Sequence, residues 1–256
     1  MSEKISNDDI MYVLRSLVAF FEKVQGEDCP EEMLLVAQKI PFSEIKLIIA
    51  KSPSATERVL MKLIQNEKEK QVRDAAVRNP NATEKIFLEA LDTFDHHDDP
   101  NYEIPLFVAS SEKATENVLI KALSIKNSDV REAAIRNPVV SENVLLKAIK
   151  IEGIATSALS SKKSTERVFL ETVENFKLCK SLLANSYELK NDRRLTPAVL
   201  EKALDLHGSK QFTMIKHEKL LLGDYMDKTV WRTIGYAVYY HPNATEELKK
   251  KAKKYL

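Results

Sequence analysis

Three basic pairs recur at one spacing. Lys46 and Lys51, Arg73 and Arg78, and Arg131 and Arg136 each stand five residues apart, in segments that resemble one another. Trp231, Tyr236, Tyr239 and Tyr240 gather near the end of the chain. Rows of cations beside aromatic rings suit a polyanion, because they neutralise phosphates while flat rings stack on bases. At about 100° per residue, helical positions five apart lie about 140° apart, so the two basic positions form separate flanks. The rows are also interrupted, by Pro105 and Ser110 in one segment and by Ala155 and Ser160 in another. A structural reading competes. In it Arg73 and Arg131 pair with acidic neighbours, while Arg78 and Arg136 bond free carbonyls at a helix end.

Other residues with chemistry to offer point nowhere specific. Asp95-His96-His97-Asp98-Asp99 has metal-ligand types, but adjacent ligands on a polar stretch read as a loop. Cys29 and Cys179 lie far apart and outside any C-x-x-C, which gives no zinc spacing and suggests reduced thiols, Cys179 in the core. There is no G-x-x-x-x-G-K loop, G-x-S-x-G elbow or H-E-x-x-H. The expectation is a non-enzyme without cofactor or metal.

The elements that must carry these residues are copies of one unit. Val72-Arg73-Asp74-Ala75-Ala76-Val77-Arg78-Asn79-Pro80 is matched by Val130-Arg131-Glu132-Ala133-Ala134-Ile135-Arg136-Asn137-Pro138. A hydroxyl residue followed by glutamate anchors each copy: Thr56, Thr83, Thr115, Ser141, Thr165 and Thr245, with Thr196-Pro197 a diverged further copy. Spacings from Thr56 to Thr165 are 27, 32, 26 and 24 residues. Thr or Ser is a good N-cap, and glutamate in the first turn suits the helix dipole. Apolar residues then follow at helical spacing, as in Ile86, Phe87, Ala90 and Leu91. Upstream, a shorter helix ends at Asn79-Pro80, Asn137-Pro138, Ser52-Pro53 or His241-Pro242, since the residue before proline leaves the helical region. His241 there reads as a turn cap. One such unit cannot bury its apolar face alone, but stacked copies can.

The remaining chain reads as ends and interruptions. Residues 1–40 are expected to form N-terminal cap helices, with Ile10, Met11, Val13, Leu14, Leu17, Val18 and Phe21 on an apolar side. Residues 41–204 are repeats, 205–230 an irregular insertion, and 231–256 a last repeat and cap, all in one domain. Its 39 basic and 38 acidic residues leave a net charge of +1, which weighs against a dedicated duplex-DNA binder. The start of the chain does not read as a signal peptide, and no apolar run is long enough for a bilayer, so a cytoplasmic location and no membrane partner are expected.

The pattern V-R-x-A-A-x-x-N-P-x-x-T/S-E resembles the variant leucine-rich repeat, a relative of HEAT-like helical repeats. The likeness is best over roughly residues 45–175. It implies an all-α, right-handed α-solenoid of short-helix and long-helix pairs. One member of that family also holds a cysteine-ligated iron–sulfur cluster, and no matching cysteines occur here. Two functions are expected from this reading. The first is a scaffold that binds a partner protein. The second is nucleic-acid binding or DNA-base repair, as in HEAT-like alkylation-repair glycosylases. Lys46, Lys51, Arg73, Arg78, Arg131, Arg136, Trp231, Tyr236 and Tyr240 are the candidate partner-binding residues.

Overall fold

A Thr or Ser cap with an apolar stripe behind it starts a helix at every copy. The computed structural model describes residues 7–26, 28–66, 68–93, 102–180, 182–183, 192–213 and 231–256. Two helices precede the repeats: α1 (Asn7–Gln25) and α2 (Glu31–Ala37). The first three copies are α3 (Ser43–Lys51) with α4 (Glu57–Asn66), α5 (Lys70–Val77) with α6 (Glu84–Asp92), and α7 (Glu103–Ser110) with α8 (Glu116–Ser124). The next two are α9 (Ser128–Arg136) with α10 (Glu142–Ala148) and α11 (Ala155–Ser160) with α12 (Glu166–Glu174). Then come α13 (Phe176–Lys180), α14 (Pro197–His207), and a seventh copy, α15 (Ile234–Tyr239) with α16 (Glu246–Ala252). Among the described residues the regular elements are helices apart from one antiparallel ribbon, β1 (Gln211–Thr213) with β2 (Trp231–Thr233).

The described residues form two compact units, one through Val130 and one from Arg131, with the boundary inside α9. In the first, α3 packs on α5, α4 on α6, and α6 on α8. In the second, α10 packs on α12, α12 on α14, and α14 on α15 and α16. The capped helices supply the cores. Val59, Leu60, Leu63 and Ile64 are buried in α4, and Val118, Leu119, Ala122 and Leu123 in α8. Each fully buried large side chain contributes about 1.5–3 kcal/mol. At the same register α12 buries Thr172, whose hydroxyl is satisfied by donating to the Val168 carbonyl at 2.7 Å.

Three expectations are corrected. The two helices of a copy are closer in length than a short–long pair, and α9 (9 residues) exceeds α10 (7 residues), because α10 ends where Ile149 and Lys150 turn. Residues 205–207 are not insertion but the last turn of α14, where His207 is buried with its Nε2 2.8 Å from the Val173 carbonyl. On the cap helix, Val18 is exposed and Phe21 half-buried, while the side chains of Ile10, Met11, Val13, Leu14 and Leu17 lie outside the described residues. The Asp95-to-Asp99 cluster also lies outside them.

The turn between the helices is governed less by proline than by the residue four before the anchor. In chain order this is Ser52, Asn79, Ser111, Asn137, Ser161, Asp192 and His241. All seven side chains accept from the backbone N–H two residues on, at 2.9 to 3.4 Å. All seven carbonyls accept from the N–H three residues on. The third, fifth and sixth copies make this turn with Glu112, Lys162 and Arg193 in proline's place. The side-chain bond closes the turn, and proline only presets φ.

The same turn reaches back to the copy before it. A helix leaves its last carbonyls without partners. Asn79 Nδ2 donates to two such carbonyls, Ala50 at 2.7 Å and Ser52 at 2.9 Å. In the first copy two hydroxyls share this task, Ser52 bonding the Val24 carbonyl and Ser54 the Gly26 carbonyl. In the sixth, Asp192 has no donor. Arg194 pairs with it and donates to the Leu159 and Ser161 carbonyls instead. Those carbonyls stand at the same repeat positions as Ala50 and Ser52. Asn81 and Asn243 make a second link, each bonding two turn carbonyls of the preceding copy.

The insertion before the last copy leaves this register intact. Its ends close on each other: Gly235 N–H donates to the Gly208 carbonyl at 3.0 Å, and Ile234 N–H to the Lys210 carbonyl. The Tyr255 side chain lies against both glycines, so close that a Cβ at either would stand 2.5 Å from it.

The Asn79 and Arg194 solutions are expected to be interchangeable. Asn79→Asp alone removes a buried donor and should cost about 1–3 kcal/mol in urea unfolding. Adding Asn81→Arg should recover part of that loss. A double variant no more stable than the single one would mean that the two arrangements are not equivalent.

Candidate interaction surface

The unit has an inward and an outward flank on its first helix. Ten before the anchor, Lys46 and Arg131 are half-buried and Arg73 is buried. Five before it, Lys51, Arg78, Ser110, Arg136, Ser160 and Tyr240 are all exposed. The two candidate basic rows are therefore not equivalent. Lys46, Arg73 and Arg131 belong to the packing, whereas Lys51, Arg78 and Arg136 belong to the surface.

The outer arginines pair with acids, and an inner one bonds a helix-end carbonyl. Arg78 and Arg136 meet acids one turn back: Arg78 with Asp74 and Arg136 with Glu132, both at 2.8 Å. It is Arg73 that bonds a helix-end carbonyl, at Thr93. The cause is geometric, since residues four apart share a face and the acids stand four before the outer arginines. The guanidinium of Arg78 also lies over the Phe107 ring, 4.2 Å from its centre. In the last copy Tyr236 and Tyr240 have ring centres 4.6 Å apart, and Tyr239 stands 4.9 Å from Tyr240. Trp231 falls on β2, and its side chain lies outside the described residues. No single helix face brings all nine candidates together.

Nine, eight and five residues before the anchor lie on one side of the first helix. This trio changes from copy to copy. It is Leu47, Ile48 and Lys51, then Asp74, Ala75 and Arg78, then Leu106, Phe107 and Ser110 in the first unit. In the second it is Glu132, Ala133 and Arg136, then Thr156, Ser157 and Ser160, and in the last copy Tyr236, Ala237 and Tyr240.

The hydroxyl trio opens onto a groove of about 530 Å³ between α9 and α11, lined also by Arg136, Lys162 and Lys163. Sequence reasoning missed it. Its signal was the run Thr156-Ser157-Ala158-Leu159-Ser160-Ser161-Lys162-Lys163, which first appears only as a gap in the basic rows.

Much of the remaining surface charge is structural. Four of the glutamates that follow an anchor, Glu57, Glu84, Glu142 and Glu166, bond the following copy. Glu57 accepts from Thr83 at 2.6 Å and from Lys85 at 3.0 Å. Glu84 accepts from Thr115 at 2.7 Å and from Asn117 at 3.0 Å. Glu142 takes Thr165 and Arg167, and Glu166 takes Thr196. Thr83 and Thr165 make no cap bond to their own helices. The ladder has no rung at Pro197, which lacks a carboxylate.

The buried titratable groups offer little chemistry. Burial pushes the Cys179 thiol up to about 12. Burial also lowers the pKa of His241, against the pull of Asp192. Among the described residues no group of three His, Cys, Asp or Glu is placed to hold a metal ion. No described helix is long and apolar enough to cross a membrane.

The ladder has a pH signature. Thr83 above all holds the Glu57 carboxyl below its ordinary value of 4.5, and Thr115 does the same for Glu84. A depressed carboxylate stabilises the fold above the unfolded value, and that contribution fades as pH falls through the folded one. Thermal midpoints should therefore drop below about pH 4.5, less steeply in Glu57→Gln/Glu84→Gln than in the parent. Identical slopes would remove the ladder from the acid response. Comparisons with protein-family models, curated proteins and solved structures found no match, so the surface is read from its own chemistry.

Proposed function

We propose that the chain is a non-catalytic binding scaffold whose outward first-helix face takes a segment of a partner protein. One observation carries this reading: the core, the turn and the Thr–Glu ladder repeat, while the outward trio takes five chemistries in six copies, only the acid–alanine–arginine set occurring twice. Residues that recur build the stack, and residues that differ are free to select. Apolar, ion-paired, hydroxyl and tyrosine sites suit a heteropolymer with varied side chains. The repeat pattern adds kinship to the variant leucine-rich and HEAT-like chains, whose copies wind as a right-handed superhelix. The reading needs no cofactor, and two buried thiols sit well with the cytoplasm.

Nucleic-acid binding or DNA-base repair is the weaker reading. A polyanion track wants uninterrupted free cations. Here Lys46 and Arg131 are half-buried and Arg73 is buried, and the outer row is broken by Ser110 and Ser160.

The test is affinity capture with the parent chain and two surface variants, Phe107→Asp and Tyr236→Ala/Tyr240→Ala. A partner protein should be retained by the parent and lost about tenfold or more from at least one variant, with helical content unchanged. Equal recovery from all three would overturn the assignment of this face. Salt-sensitive retention of DNA in place of protein would favour the weaker reading.

A further inference from the structure

The fifth copy is unlike the others in what its first helix offers. Thr156, Ser157 and Ser160 put three aliphatic hydroxyls where each other copy described holds at most one, Ser110. Their spacing places all three hydroxyls on one side of α11, facing the groove. Among the described residues none of the three has a hydrogen-bond partner, and Lys162 has no ion pair. The lining holds three cations and no carboxylate. Nearby, Arg136 pairs with Glu132, but that arginine side chain is 76% exposed. Such a pair is worth only about 0–1 kcal/mol, so it yields readily to a stronger anion. Lys163 is held at the rim by its bond to the Pro138 carbonyl.

Resting on the scaffold reading above, we propose that this groove binds a phosphorylated serine or threonine in an extended peptide. A phosphate monoester carries close to two negative charges at neutral pH and several strong acceptor oxygens. It can take Arg136 through a forked pair of N–H bonds, Lys162 as a point charge, and the Ser157 and Ser160 hydroxyls as further donors. A carboxylate has half the charge and fewer acceptor sites for the same donors. The groove is larger than one phosphate, which leaves room for flanking residues of the peptide. A nucleic-acid backbone fits less well, because it needs a continuing row of cations, and the same outward position holds a serine, Ser110, in the third copy and Ser160 in the fifth.

The experiment uses the full chain and immobilised degenerate peptide pools with a fixed central phosphoserine, serine or glutamate. The phosphoserine pool should be retained about tenfold better than the other two. Arg136→Gln and Lys162→Gln should each reduce that preference, and Ser157→Ala/Ser160→Ala should reduce it without changing net charge. All these positions are half-buried or exposed, and circular dichroism checks that the variants stay folded. Equal retention of the glutamate pool, retention of none, or displacement by an oligothymidylate would each overturn the proposal. Those outcomes leave the capture experiment with Phe107 and the tyrosines untouched, so the two readings fail separately.

Discussion

A helix that stops must give its last carbonyls partners, and this chain meets that demand from the next copy's turn. Everything else in the stack hangs on the residue four before the anchor. It must accept the N–H that closes its own turn and, with a neighbour, donate to the helix end before it. Asparagine does both with one amide. In the first copy serine shares the task with a second hydroxyl, Ser54, and in the sixth aspartate needs an arginine. Three chemistries thus reach one geometry, and what repeats is a pattern of donors and acceptors more than a pattern of residue types. His241 fills the position in the last copy, where its Nδ1 closes the turn and its buried Nε2 has no partner among the described residues.

Fixing the stack through turns and capped helices leaves the outward side of each first helix with little structural work. This explains how an acid–arginine pair, a phenylalanine, three hydroxyls and a pair of tyrosines can occupy equivalent places without disturbing the frame. It also separates two kinds of surface charge. Lys85 and Arg167 belong to the ladder that joins successive copies, while Lys51 and Lys162 do not. A tally of charges treats them alike, although only the second kind is available to a partner.

The helices and core were legible because their signals are local. Anchor, glutamate and the stripe behind them fall within ten residues, and the stripe is the buried one. The backward links were not, because Asn79 and the Ala50 carbonyl are brought together only by stacking. Proline drew attention in the turn because it is conspicuous, yet the quieter residue before it does more. The basic rows were legible as rows, but only burial could tell that one faces inward. The α9–α11 groove was hidden for the opposite reason: its residues broke the pattern being followed, and a departure from a repeat reads as decay until its neighbours are known.

Surface ion pairs between copies run both ways, as Lys70 to Glu103 shows, but the bonds that turn residues make to neighbouring backbone point one way. Asn79, Asn81, Lys113, Lys163, Arg194 and Asn243 each give hydrogen to the copy that precedes them. A copy is thus completed by its successor. Emerging from the ribosome N-terminus first, each helix pair would wait with bare carbonyls until the following turn arrived to finish it. Growth of the stack would then trail synthesis by about one copy, with the newest edge always the unfinished one.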